Sequence, residues 1–358
     1  MTDAPVPDDA PVPDDAPVPD AAADAAPEPV RDPVAAPMPT TPRGDRRGLL
    51  QAGDLVQLTD PKGRHHTVAL VAGKVFHTHK GALAHDDLIG QPEGIVATSA
   101  AGVPYLVLRP LLRDFVLSMP RGATVVYPKD AAAIVGLADI GPGDVVVEAG
   151  VGSGALAVSL LRAVGPSGRV VSFERRPDFA EIARTNVERF LGGDQPSWEL
   201  VVGDLQAELG TVVAPGAADR AVLDMLAPWE CTDAVADALA PGGVLVVYVA
   251  TTTQLSRIAE TLRADGRFTE PYAQELMLRT WHLEGLAVRP DHRMTGHTGF
   301  LLSARRLAPG TQLPPKRTRP AKGAYGQDYD GPGAVRERDG ADGATPATAE
   351  QPPRPRLP

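Results

Sequence analysis

Apolar residues in this chain recur as short β-branched runs that end in an acidic residue, separated by stretches with helical spacing. Asp144-Val-Val-Val-Glu148, Gly168-Arg-Val-Val-Ser-Phe-Glu174, Trp198-Glu-Leu-Val-Val-Gly-Asp204 and Arg220-Ala-Val-Leu-Asp224 each read as a buried strand with a carboxylate at or just past its end. Gly242-Gly-Val-Leu-Val-Val-Tyr-Val predicts a fifth strand, and Thr251-Thr-Thr-Gln-Leu-Ser starts a helix. Glu275-Leu-Met-Leu-Arg-Thr-Trp281-His-Leu and Thr298-Gly-Phe-Leu-Leu-Ser-Ala read as a final strand pair. Between the early strands lie Ala155-Leu-Ala-Val-Ser-Leu-Leu and Pro177-Asp-Phe-Ala-Glu-Ile-Ala-Arg, both of helical spacing. Strands alternating with helices predict an α/β fold with a doubly wound, Rossmann-like parallel sheet.

Upstream the pattern changes. Residues 48–109 hold short strand-like segments joined by turns such as Asp60-Pro-Lys-Gly63, and Ala-Ala-Gly102 marks a hairpin. They predict a small β domain of barrel type. Leu111-Leu-Arg-Asp-Phe-Val-Leu-Ser-Met has helical spacing and joins it to the larger domain. Asp130 reads as the cap of a helix over Ala131-Ala-Ala-Ile-Val-Gly-Leu.

Composition bounds these domains. Residues 1–42 repeat Ala-Pro-Val-Pro-Asp-Asp and carry nine acidic residues against the single Arg31, most of the chain's net charge of −10. Residues 309–358 are again rich in Pro, Gly and charge. Neither end has enough apolar surface to offset its ordering entropy, so both are expected to be disordered. The expected division is therefore tail 1–42, β domain 43–110, α/β domain 111–308 and tail 309–358. With Cys231 alone, no intrachain disulfide or cysteine zinc site is available. His77, His79 and His85 lack completing ligands, because Asp86 and Asp87 read as the start of a turn, so no metal is expected. No apolar run reaches membrane-spanning length and the start lacks a signal-peptide pattern, so a soluble cytoplasmic protein is expected.

The candidate chemistry lies where the first strand meets its helix, at Glu148-Ala-Gly150-Val-Gly152-Ser153-Gly154-Ala155-Leu156. Dinucleotide sites carry G-x-G-x-x-G with a pyrophosphate on the helix start. Here the spacing is G-x-G-x-G, with Glu148 two residues before the first glycine. A carboxylate there repels a pyrophosphate and suits a ligand with an ammonium group, as in S-adenosylmethionine. Glu174, twenty residues past Gly154, stands where a carboxylate accepts from ribose hydroxyls. Phe179 is placed to pack near an adenine and Asp204 to accept its amino group. Asp224 falls in the cleft where methyl and target meet, followed by the rigid turn and aromatic face of Pro228 and Trp229, a surface suited to a flat, extruded base. Tyr127 has two readings, ordinary packing and a wall for that base. The segment Arg289-Pro-Asp-His-Arg-Met-Thr-Gly-His297 is basic and reads either as a phosphate-contacting loop or as a solvated one.

His77-Thr-His-Lys-Gly, His85-Asp-Asp-Leu-Ile-Gly90, Tyr127-Pro-Lys-Asp130, the glycine motif, Asp224-Met-Leu-Ala-Pro-Trp229 and Gly296-His-Thr together resemble the prokaryotic tRNA (adenine-58-N1)-methyltransferases. The resemblance covers roughly residues 48–308 and leaves out both tails. It implies S-adenosylmethionine as cofactor, tRNA as substrate and a homotetramer. It also implies that Asp224 is the carboxylate of the catalytic centre, and that Gly152 to Leu156, Glu174, Phe179 and Asp204 line the cofactor. The sequence departs from the pattern at Thr124, where many relatives carry glutamine, and at Phe179, where they often carry a polar residue. Two rival readings share the fold. One is a protein carboxyl (isoaspartyl-type) O-methyltransferase, whose substrate segment has no counterpart here. The other is a non-catalytic tRNA-binding subunit, against which the intact acidic and glycine positions argue.

Overall fold

The computed structural model describes residues 48–314 apart from Lys80 and Ala123. The chain divides into two units, Met1–Thr311 and Gln312–Pro358, and the described strands and helices all belong to the first. The tail expected at 1–42 lies outside the described residues, as does 309–358 from residue 315 onward.

The N-terminal strands are β1 (Leu55–Thr59), β2 (His65–Ala69), β3 (Val75–Thr78), β4 (Gly81–Ala84), β5 (Ile95–Thr98) and β6 (Pro104–Leu108). They form an antiparallel sheet in the order β2-β1-β6-β5 and a separate β3-β4 hairpin. The expected barrel is therefore corrected to an open sheet. Its alternation is the reason it holds: in β6, Tyr105 and Val107 turn inward between exposed neighbours and meet Val56, Leu58, Leu70, Leu83 and Leu88. Each such side chain contributes about 1.5–3 kcal/mol when fully buried. Arg109 closes this layer, ion-paired to Asp54 at 2.7 Å and Glu93 at 3.2 Å. The helix α1 (Leu112–Ser118) comes next, burying Phe115 and Val116.

The larger sheet has seven strands. After α2 (Pro128–Leu137) come β7 (Val145–Ala149), α3 (Ala155–Val164), β8 (Arg169–Glu174), α4 (Pro177–Leu191), β9 (Trp198–Val202), α5 (Leu205–Val212) and β10 (Ala218–Asp224). The chain continues through α6 (Thr232–Ala238), β11 (Leu239–Val249), α7 (Thr252–Asp265), β12 (Tyr272–Glu275), β13 (Trp281–Glu284), β14 (Ala287–Pro290) and β15 (Phe300–Arg305). The order is β12-β15-β11-β10-β7-β8-β9, with β15 antiparallel between β11 and β12. The strands β9, β8, β7, β10 and β11 run parallel. One apolar layer packs α2, α3 and α4 on one face, and a second packs α5, α6 and α7 on the other. The order reverses between β7 and β10, so the crevice for a ligand opens at their carboxyl ends.

Two expectations fail locally. The strand expected from Glu275 to Leu283 is broken: β12 ends at Glu275, and Trp281–Glu284 pairs with β14 as a separate hairpin. Asp130 does not cap α2, which starts at Pro128 behind Tyr127; Asp130 is fully buried and serves another purpose. The α7 start behaves as read, with Thr251 and Gln254 forming a reciprocal capping box.

Candidate functional site

The register of the parallel strands builds the site. Glu148 of β7 lies beside Ser172 of β8 and Val222 of β10, and Val222 lies beside Val246 of β11. Two residues on, and so on the same face, Asp224 stands beside Tyr248. Glu174 ends β8 two residues past Ser172. The crevice face therefore carries Glu148, Glu174, Asp224 and Tyr248 around the glycine turn.

Each glycine of that turn has its own cause. Gly150 has φ +85°, and a Cβ there would lie 1.7 Å from the Asp224 carbonyl oxygen. Gly154, at φ +82°, lets α3 approach α4, since its Cβ would lie 3.1 Å from the Ala183 carbonyl. Gly152, at φ +54°, faces space, its nearest neighbour for a Cβ being the Gly150 carbonyl at 3.9 Å. A side chain at Gly152 would fill that space, which is the property of a cradle. Glu174 braces the cradle: Oε2 accepts from the Gly152 amide at 2.9 Å and Oε1 from the Arg176 amide at 3.1 Å. Ser153 is buried and turns away, its Oγ accepting from the Gly122 amide at 3.3 Å. Ala155 and Leu156 send their side chains into the core, so what they offer is the uncapped first turn of α3.

The buried carboxylates are electrostatically unusual. Glu148 is fully buried; desolvation, chiefly, pushes its carboxyl up to about 7 while a Ser172 hydrogen bond opposes the rise. Burial likewise pushes Asp224, half-buried at the end of β10, up to about 7. Glu148 Oε1 has no hydrogen-bond partner among the described residues. An orphaned buried carboxylate oxygen and an open glycine cradle fit a ligand with a cationic end.

The remaining expected residues are placed less simply. Phe179 is buried against Gly122, with the Arg176 guanidinium 3.1 Å above its ring. Asp204 caps α5 through Gln206 and pairs with Arg175 at 2.6 Å, so a purine amine there has to share or displace that arginine. Trp229 lies in the 3-10 turn Pro228–Cys231 with Arg257 stacked 4.0 Å from its ring. Gln254 donates to the Leu226 carbonyl at 2.9 Å, pinning the segment after β10 to the start of α7. Arg289 sits in β14, exposed, 3.3 Å from His292. His297 contacts Glu275 Oε2 and the Ala250 carbonyl, both at 3.0 Å. Both partners are acceptors, so both ring nitrogens donate, and these bonds raise its pKa. His77, His79 and His85 do not converge: no group of three or more metal-ligating side chains occurs among the described residues. His85 Nδ1 instead accepts from the Val71 amide, and burial lowers its pKa.

Tyr127 is half-buried at the head of α2. Behind it, Lys129 donates to Asp130, to Thr298 and to the Leu276 carbonyl, and Thr298 donates to Asp130 at 2.6 Å. The Tyr248 hydroxyl reaches the same carboxylate at 3.5 Å. Two distant segments, Tyr127-Pro-Lys-Asp130 and Gly296-His-Thr298, are thus one buried network adjoining the register partner of Asp224. Sequence reasoning missed Tyr248; the available signal was a polar aromatic near the end of an apolar strand, level with Asp224.

Two family models match the chain. Residues 48–97 match the TrmI-like N-terminal family, and residues 105–288 match the tRNA methyltransferase complex GCD14 subunit family. The tRNA (adenine(58)-N(1))-methyltransferase TrmI of Thermus thermophilus is 38% identical over 254 residues, 70% of this chain and 95% of that protein. Among solved structures, a SAM-dependent O-methyltransferase of Thermotoga maritima superposes with TM-score 0.68 at 29% identity, over 74% of this chain and 97% of that one. The tRNA methyltransferase TrmI of Aquifex aeolicus, named for 1-methyladenosine at position 58, superposes with TM-score 0.64 at 25% identity, over 73% and 100%.

Proposed function

The chain belongs to the tRNA methyltransferase family of TrmI and the GCD14 subunit, and from that membership we propose how its crevice methylates N1 of adenine-58 in the T-loop of tRNA. The enzyme is S-adenosylmethionine-dependent. The observation that carries the proposal is the convergence of Asp224 and the open Gly152 cradle at the β7–β10 reversal. The Thermotoga neighbour is named an O-methyltransferase, but the match to the TrmI-like N-terminal model as well as the catalytic one favours the tRNA reading.

S-adenosylmethionine, when bound, supplies an electrophilic methyl group on its sulfonium. Glu148 and the Gly150–Gly154 turn would hold its amino-acid end, and Glu174 would hold its ribose. Phe179, Asp204 in exchange for Arg175, and the backbone of Ser153, Ala155 and Leu156 would complete the surround. Neutral adenine has a free lone pair at N1, so position is needed more than a strong base; alignment supplies up to about 7–11 kcal/mol in favourable cases. Asp224 accepts from the exocyclic amine, which orients the ring and raises electron density at N1. Tyr127 or Trp229 walls the extruded base, Trp229 only on the ring face that Arg257 leaves uncovered. Arg289, on the segment carrying exposed Arg279 and Arg293, contacts the tRNA backbone, and His297, whose two ring nitrogens already donate to Glu275 and the Ala250 carbonyl, adds positive charge beside it.

We propose that the chain assembles as a homotetramer. The hairpin β13–β14 exposes Trp281, Leu283, Leu286 and Val288, with Met277 and Met294 nearby, an apolar surface for a second copy of the chain. No helix among the described residues is long and apolar enough to cross a membrane. A tRNA substrate favours the cytoplasm as the place of reaction. The direct test incubates the protein with labelled S-adenosylmethionine and unmodified tRNA and maps the label. Label on N1 of adenine-58 supports the proposal; label elsewhere, or on protein carboxyls, rejects it.

A further inference from the structure

Glu148 is held from one side. Its Oε2 accepts from Ser172 Oγ at 2.6 Å, while Oε1 is without a hydrogen-bond partner among the described residues. Ser172 is also fully buried, directly beside Glu148 in the sheet. Its Oγ accepts from Trp198 Nε1 at 2.9 Å. An indole N–H only donates, so it uses the serine oxygen as acceptor and leaves the single hydroxyl proton to point at Glu148. The order of donors is thereby fixed from β9 through β8 to β7.

We propose that Trp198 and Ser172 are positioning residues: they lock the Glu148 carboxyl with Oε1 as its free acceptor, so that a cationic ligand end binds there with loss of a proton from Glu148. The inference rests on the S-adenosylmethionine reading above. The balance is simple: the neutral carboxyl releases its proton to solvent, and the carboxylate accepts from the ligand ammonium. The charged groups facing Glu148 are Asp224 from β10 and Glu174 from β8, both acidic, and both favour its protonated form. The Ser172 hydrogen bond works the other way, favouring the carboxylate. Removing it raises the pH needed to ionise Glu148.

Calorimetry of S-adenosylmethionine binding to the full chain, in two buffers of different ionisation enthalpy from pH 6 to 9, reads both affinity and proton release. The wild-type protein is expected to release a fraction of a proton near neutral pH. Ser172→Ala is expected to bind about tenfold more weakly than the wild type at pH 7, the loss of one charge-assisted hydrogen bond, and to close that gap towards pH 9; the ratio of the two affinities at each pH removes the titration of the ligand's own α-amino group, which is common to both proteins. Ser172→Thr keeps the donor and is expected to restore the wild-type profile. Trp198→Phe shifts the profile in the same direction by less, and the double variant matches Ser172→Ala, because the indole acts through the hydroxyl. In turnover, the loss falls on KM for the cofactor more than on kcat. A folded Ser172→Ala with the wild-type affinity and pH profile overturns the proposal, as do additive losses in the double variant. Should Ser172→Ala not fold, Trp198→Phe decides, and an unshifted profile there overturns it. Absence of binding by the wild type would instead reject the cofactor reading.

Discussion

The carbonyl oxygen of Asp224 occupies the place where a side chain on Gly150 would begin, 1.7 Å from an ideal Cβ. The first glycine of the turn therefore exists for the neighbouring strand. It lets β10 run past the end of β7 and deliver Asp224 to the crevice.

Gly150→Ala tests that relationship. The added carbon meets the backbone of β10 and the residue is held at φ +85°, so β10 must move. A loss of about 2–3 kcal/mol is expected from overpacking and strain. Chemical denaturation measures it, and a variant of unchanged stability contradicts the close approach.

Gly152→Val acts differently. No described residue crowds its Cβ, but the branched group fills the cradle. Cofactor binding is expected to vanish while the protein remains folded, with a melting temperature lowered only by the cost of a positive φ, about 1–2 kcal/mol. Calorimetry on the folded variant checks this, and wild-type affinity contradicts the cradle.

The frame of the site was legible because each element is local. The strand runs, the G-x-G-x-G turn and the carboxylates at Glu148, Glu174 and Asp224 are continuous patterns, and the sheet puts them in one crevice. What was not legible depends on contacts remote in sequence. Asp130 has the residue type of a cap, yet Lys129 and Thr298 draw it into the core. Trp229 has an aromatic face that Arg257 covers, and Asp204 a carboxylate that Arg175 takes. The break between Glu275 and Trp281 carries no Gly or Pro; it arises because β12 pairs with β15 while Trp281–Glu284 pairs with β14.

Stability should depend on pH through the raised carboxyls. Glu148 and Asp224 each reach about 7 in the folded chain, against about 4 unfolded. Between those values the folded state binds more protons, so stability falls as pH rises from about 5 to 8. Asp224→Asn removes one of the two groups, and its melting temperature is expected to fall less over that range than that of the wild type. Parallel curves for the two proteins contradict the shift at Asp224.

Assembly is tested on the β13–β14 hairpin. Leu283, 74% exposed, and Leu286 project from its outer surface. The pair Leu283→Lys and Leu286→Lys is expected to leave the melting of the protomer unchanged and to reduce the molar mass seen by light scattering. An unaltered oligomer of wild-type mass contradicts the placement of the interface.

The most direct measurement is single-turnover methylation of unmodified tRNA by Asp224→Ala, at saturating S-adenosylmethionine and tRNA and at pH 8, where the wild-type carboxyl is mostly ionised. A hydrogen bond to that carboxylate contributes about 1.5–3 kcal/mol, so its loss in the transition state should slow the step by about ten- to a hundredfold or more. Thermal melting serves as the fold control, and no loss of stability is expected from removing a half-buried carboxylate whose burial already disfavours its charged form. A folded Asp224→Ala protein that methylates at the wild-type rate would contradict the account and leave Tyr127 to hold the base.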